Sequence, residues 1–180
     1  VIFLGRQHPP EISGYLGYQT FVEEFISGSE LSNKFRRNFD IVFIPMINPD
    51  GIYEGNWRHN LAGVDLNRDW DSFQQPETKA VRDFVADINS KIYFMVDFHS
   101  TYYDVFYTNS PVEGELLPGF AKEWIESFKK DLYGYDAAIK PSGNGGNVSK
   151  GGFSRQYGTQ AITYEVGDNT GFPFETNRTT

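Results

Sequence analysis

The sequence predicts one α/β domain built on a largely parallel sheet with helices on both faces. Two patterns carry that prediction. Apolar, β-rich runs at Val1–Leu4, Asp40–Ile47, Ile92–Phe98 and Ala161–Val166, with a shorter one at Val105–Tyr107, are near-continuous rather than alternating, as strands buried on both faces are. Between these runs, apolar residues recur at spacings of three and four, the stripe of an amphipathic helix. Length agrees: 180 residues, 39% hydrophobic and 17% aromatic, are enough to bury one full core.

The first helical stripe follows Val1–Leu4 and comprises Ile12, Tyr15, Leu16, Val22, Phe25 and Ile26. A second (Val81, Phe84, Val85, Ile88) precedes Ile92–Phe98, and a third (Leu117, Phe120, Ala121, Trp124, Phe128, Leu132) follows Val105–Tyr107. Strands alternating with helices build a parallel sheet, whose ligands bind beyond the carboxyl ends of the strands. Two stretches fit neither period: Asn48–Gln75 and Lys140–Gly152, rich in Gly, Asn, Ser or charge. Loops this long inside a compact domain are functional or disordered. No repeat, low-complexity tract or linker divides the chain, so residues 1–180 read as a single domain.

Composition narrows the function. A net charge of −8, with adjacent basic residues only at Arg36-Arg37 and Lys129-Lys130, argues against nucleic acid, because phosphate binding draws on clustered cations. No apolar run approaches the ~20 residues that cross a bilayer, so no membrane partner is expected. Without cysteine there is neither a disulfide framework nor a thiolate metal site. Any transition metal must use carboxylates and the histidines His8, His59 and His99. The chain starts without Met in an apolar stretch and ends in a polar tail, Phe174–Thr180, which leads us to expect a longer protein at both ends. The sequence assigns no compartment.

Directly after the first strand stands Gly5-Arg6-Gln7-His8-Pro9-Pro10-Glu11, with Glu11 expected in the opening turn of a helix. A spacing of three sets His8 and Glu11 on one face of that turn, and the prolines stiffen its entry. An imidazole and a carboxylate so placed reach one cation, although a Glu in a first turn also suits the helix dipole. His99 leaves the carboxyl end of Ile92–Phe98, as His8 does its own strand. It is either a third ligand or a histidine hydrogen-bonded to Ser100 or Asp97. Two histidines and a carboxylate make a catalytic rather than a structural zinc set, with one position open for water. Zinc lowers the pKa of that water to ~7 and leaves a proton for a base to take. Glu165, at the exit of the apolar strand Ala161–Val166, is the candidate base or else an ordinary solvated strand end. The loop carrying Arg58, Asn67 and Arg68 adds cationic and amide donors. An Asn-Arg pair suits a terminal carboxylate, a separate Arg suits a developing oxyanion, and both could equally be surface groups.

With these residues in view, the sequence resembles the carboxypeptidase A family of zinc carboxypeptidases, whose namesake has a His, His, Glu ligand set. Seven segments match in order: H-P-P-E at His8 to Glu11, N-P-D-G at Asn48 to Gly51, W-R at Trp57-Arg58, G-V-D-L-N-R at Gly63 to Arg68, Q-P-E-T at Gln75 to Thr78, F-H-S at Phe98 to Ser100 and T-Y-E at Thr163 to Glu165. The resemblance implies a mixed, largely parallel sheet with helices on both faces, truncated at both ends. Further strands before His8 and a helix after Glu165 are expected outside residues 1–180. It implies one Zn2+ ion on His8, Glu11 and His99, with Glu165 as general base. Arg58 then polarises the scissile carbonyl, Asn67 and Arg68 grip the substrate carboxylate, and Asp65 hydrogen-bonds the first histidine and sets its tautomer. The implied partner is a peptide with a free C-terminal carboxylate.

Two departures accompany the match. The family's mobile tyrosine has no counterpart within Lys140–Gly152, and Tyr157 is too close to Glu165 to align, which leaves Tyr103 or Tyr107 as substitutes. In the same segment Lys150, the only charged residue between Lys140 and Arg155, is the candidate for the side-chain pocket. Two other functions compete: a zinc amidase or deacylase acting on an N-acyl amino acid or cell-wall peptide, and an inactive binding module. Retention of G-V-D-L-N-R favours the peptidase over the amidase. Retention of base and ligands disfavours the inactive module.

Overall fold

The computed structural model describes residues 1–88, 90–110, 116–131, 135 and 137–167. In chain order these form β1 (Ile2–Gly5), α1 (Ile12–Ile26), α2 (Glu30–Asn38), β2 (Val42–Ile44), α3 (Pro49–Tyr53), a 3-10 turn (Leu66–Arg68), α4 (Pro76–Asp87), β3 (Phe94–Thr101), β4 (Val105–Thr108), α5 (Phe120–Asp131), β5 (Ala138–Pro141), α6 (Ser149–Tyr157) and β6 (Gln160–Gly167). Six strands make one sheet in the order β2-β1-β3-β6-β4-β5. The first four in that order run parallel. β4 is antiparallel to β6 and parallel to β5, so the sheet is mixed.

Alternating residues of the central strands feed two cores. Phe3, Val96, Phe98 and Ile162 point to one face and pack with Tyr18, Phe21 and Phe25 of α1, Phe35 of α2, and Ala121 and Ile125 of α5. Ile2, Leu4, Met95 and Ala161 point to the other and meet Val81 and Val85 of α4, Phe153 of α6, and Leu66 and Trp70. Both faces are covered, which is why β1 and the first six residues of β3 are buried throughout and read as unbroken apolar runs. A fully buried ring such as Phe3 contributes about 2–3 kcal/mol.

The structure departs from the periodicity in three places. α1 is the helix expected, but Ile12, Leu16 and Ile26 of its stripe are exposed, and Gly14 and Tyr18 are its buried positions. α2 presents Phe35 and the buried Ser32 to the protein, too short a stripe to stand out in nine mostly polar residues, although Ser29 caps it by accepting from the Ser32 N–H. α6 and β5 take up much of the expected loop Lys140–Gly152. The sequence of α6, Ser-Lys-Gly-Gly-Phe-Ser, has the composition of a loop; it packs as a helix because Gly152 comes against the Trp70 backbone where a Cβ would collide. Leu132 of the third stripe and the tail from residue 168 onward lie outside the described residues. Among the described residues, no helix is long and apolar enough to cross a membrane.

Candidate metal centre and substrate cavity

β1, β3 and β6 end side by side, and their carboxyl ends carry the site. After Gly5 the chain turns through Arg6, which has a positive φ of 56°, and buries the next two side chains, Gln7 and His8. Arg6 is held there by donating to the Pro9 carbonyl at 2.8 Å and by lying over the Tyr15 ring. Glu11 is the residue before α1 and not inside its first turn, so His8 and Glu11 meet across a proline-stiffened bend.

The three expected ligands come together. His8 Nδ1 lies 2.6 Å from one Glu11 oxygen, His99 Nδ1 lies 2.8 Å from the other, and the two ring nitrogens are 3.2 Å apart. One ligand atom from each residue falls within 4.8 Å of the others. The opposite ring nitrogens face carboxylates: His8 Nε2 is 3.0 Å from Asp65 and His99 Nε2 is 2.8 Å from Asp97. In the tautomer in which each Nε2–H donates to its carboxylate, both Nδ1 lone pairs turn toward each other and toward Glu11. A cation between these four atoms would satisfy them together. Zinc suits the spacing, since two nitrogens about 2.0–2.1 Å from a tetrahedral ion stand about 3.3 Å apart. The His99 ring has two nitrogens, so its hydrogen bond to Asp97 leaves the other nitrogen facing His8 and Glu11, and the two roles left open by the sequence are compatible.

The carboxylates are tuned accordingly. Burial alone pushes the Glu11 carboxyl up, but His99 and His8 outweigh it and hold the group down at about 2. Asp65 is likewise raised by burial and then drawn well below the usual carboxylate range by His8 and Arg58; Arg58 Nε donates to it at 2.7 Å. Burial raises Glu165, with His99 opposing and Glu11 and Asp97 reinforcing. Glu165 pairs with His99 across the β3–β6 ladder, so the two side chains share a face.

Beneath His99 lies a buried network of which the sequence reading named only Asp97. Asp97 accepts from Gln7 at 2.5 Å and from the Ser149 hydroxyl, and Gln7 accepts in turn from the Trp70 indole at 2.8 Å. Asp97 sits two residues before His99 and hence on its face of the strand, the placement that made it a legible partner; Gln7 and Ser149 left no such signal.

A cavity of about 480 Å³ opens onto this centre and is lined by Arg58, Asn67, Arg68, Tyr107, Lys150 and Glu165 together with His8 and Glu11. Asn67 accepts from the Ser149 N–H at 2.9 Å, and Arg68 donates to the Asn67 carbonyl at 2.7 Å. Lys150, in the first turn of α6, is buried and donates to the Gly143 carbonyl. Tyr107, one of the two tyrosines proposed as substitutes, lines the cavity. The loop 48–75 is held in shape by two of the matched segments. Asn48 caps α3 at the Gly51 N–H and reaches the Gln7 carbonyl, while Asp69 gathers the Gln74 and Gln75 N–H groups and the Thr78 hydroxyl.

His59 is exposed, and its hydrogen bonds are through its backbone carbonyl. His59→Ala is expected to change zinc content and turnover by less than about twofold, measured by metal analysis and peptide hydrolysis. Gly14 is different. Its N–H donates to Ser100 Oγ at 2.6 Å, and a Cβ there would collide with the His99 backbone carbonyl. Gly14→Ala is expected to cost roughly 1–3 kcal/mol of stability and to weaken zinc retention by displacing His99; a thermal melt and a chelator titration measure the two effects.

A mixed α/β sheet with two histidines and a glutamate grouped at its strand ends defines the class: an α/β scaffold with a candidate metal centre. The chain belongs to the zinc carboxypeptidase family, whose profile matches residues 1–173. It is 32% identical to cytosolic carboxypeptidase 6 of Mus musculus over 108 residues, 56% of this chain and 20% of that protein. Against cytosolic carboxypeptidase 2 of Danio rerio it is 42% identical over 72 residues, 40% of this chain and 10% of that one. Among solved structures, a metallo-carboxypeptidase from Burkholderia cenocepacia superposes with a TM-score of 0.68 at 26% identity, covering 96% of this chain and 49% of that one. The chain therefore spans a fifth or less of these two curated relatives and about half of the solved one.

Proposed function

We propose that this chain is the catalytic part of a zinc carboxypeptidase that hydrolyses the last peptide bond of a peptide with a free C-terminal carboxylate. One observation carries the reading: a three-ligand centre, a carboxylate paired across the sheet with His99, and three cationic side chains open into one cavity. His8, Glu11 and His99 hold the metal. Zinc bound there supplies Lewis acidity to water and to the scissile carbonyl.

The chain's own residues do the rest. Glu165 takes the proton of the attacking water and returns it to the leaving amine. Arg58, oriented by Asp65, offers donors where negative charge develops on the carbonyl oxygen. Arg68 and Asn67 receive the terminal carboxylate, which sets the last peptide bond rather than an internal one beside Glu165. Lys150 receives the terminal side chain.

Two measurements test this. The purified protein is expected to contain one zinc per chain, lost on chelation, because three ligands from the fold leave affinity dependent on an intact centre. It is expected to cleave a peptide with a free C-terminus and to lose nearly all activity when that carboxylate is amidated. Undiminished turnover of the amidated peptide would instead identify an amidase.

A further inference from the structure

Ser149 opens α6, is wholly buried, and directs both of its donors into the site. Its hydroxyl donates to Asp97 Oδ2, the oxygen that also faces His99 Nε2 at 2.8 Å and accepts from Gln7 at 2.5 Å. Its backbone N–H donates to Asn67 Oδ1 at 2.9 Å. The N–H groups of a helix's first turn have no partner within the helix, and this one takes a side chain 82 residues away. One residue thus touches the carboxylate behind a candidate metal ligand and an amide that lines the substrate cavity.

Asp97 is inaccessible to solvent, and its second oxygen has no hydrogen-bond partner among the described residues. A carboxylate buried in this way depends on its donors for its orientation as well as its stability. All of them converge on one oxygen, so loss of the Ser149 hydroxyl frees Asp97 to turn away from His99 Nε2, and the hold on Nε2 sets where the opposite nitrogen points. Asn67 is oriented by the same residue. Because the Ser149 N–H takes its side-chain oxygen, its NH2 is the end that remains to donate. Lys150, next in the chain, lines the same cavity, so a shift in the first turn of α6 moves Lys150 and the partner of Asn67 together. We propose that Ser149 is a positioning residue that ties His99, through Asp97, to the cavity wall receiving the terminal residue of the substrate. The substrate side of this inference rests on the proposed function.

Ser149→Ala removes the hydroxyl and keeps the N–H. It is expected to weaken zinc binding about tenfold in a chelator competition, the lower end of what groups behind a metal ligand contribute. It is also expected to shift the visible absorption of the cobalt-substituted protein, which reports ligand geometry without turnover. At saturating zinc, KM for a peptide with a free C-terminus is expected to rise about fivefold and kcat to stay within about twofold, the pattern of lost binding rather than lost chemistry. Ser154→Ala is the control. It makes the same substitution on the same helix, at a buried hydroxyl without a hydrogen-bond partner among the described residues, and is expected to change none of these values. Zinc affinity and cobalt absorption unchanged in Ser149→Ala, or changed equally in Ser154→Ala, overturn the inference and leave the hydrolytic reading standing. Weaker zinc binding with an unchanged KM overturns the tie to the substrate wall. No turnover by the parent protein overturns the proposed function, while the metal readouts still decide whether Ser149 acts on His99.

Discussion

Glu165→Gln is expected to keep one zinc per chain and to lose turnover by about three orders of magnitude, within the range that general acid–base groups contribute. The amide nearly matches the carboxylate in shape and size but cannot accept a proton from the attacking water. Glu165 is not among the three grouped ligand residues, so metal content separates its chemistry from a structural role. The comparison requires zinc analysis and kcat on the same preparation. Turnover that survives the substitution removes Glu165 from the mechanism, and loss of zinc recasts it as part of the centre.

Lys150 is expected to select an acidic terminal side chain. Its ammonium is buried at the N-terminal turn of α6, where the helix dipole disfavours positive charge, and burial lowers its pKa to about 8. A cation in such a place is poorly compensated by the Gly143 carbonyl alone, and a substrate carboxylate would neutralise it. With peptides differing only in the last residue, Glu is expected to exceed Leu by about a hundredfold in kcat/KM, and Lys150→Ala to remove most of that margin. The pH dependence has a definite sign. Lys150 in the free protein loses its proton as pH rises through about 8, so kcat/KM for the Glu-terminated peptide is expected to fall above that pH. Preference for aromatic or basic termini that Lys150→Ala leaves unchanged would remove the lysine from the pocket.

Much of this site was readable along the chain because its candidate ligands sit at or near strand ends. A near-continuous apolar run announces a buried strand, and the first polar residues beyond it emerge where a parallel sheet binds ligands. His8 follows that rule just past β1, whereas His99 and Glu165 stand within the last residues of β3 and β6, which run on to Thr101 and Gly167. The loop bearing Arg58, Asp65, Asn67 and Arg68 was legible only as residue types and matched segments, since a stretch without period has no readable path. What gives it one is a set of buried polar contacts through Asn48 and Asp69, and hydrogen bonds between distant residues leave no periodic trace. The same reason hid Gln7 and Ser149. α6 was hidden differently: its glycines lower helix propensity, and close packing against Trp70 overrides that preference.

By itself, then, the sequence determined the α/β alternation, the strand ends that carry the candidate ligands and the absence of any thiolate alternative, because period and composition are local properties. Tertiary structure alone decided that β6 lies beside β3, so that Glu165 pairs with His99. It also decided that α1 turns Gly14 and Tyr18 inward and leaves Ile12 and Leu16 exposed. Both outcomes depend on which elements become neighbours. That choice is made by the packing of whole faces, such as a glycine admitting a helix against the His99 backbone, and no window along the chain contains both partners.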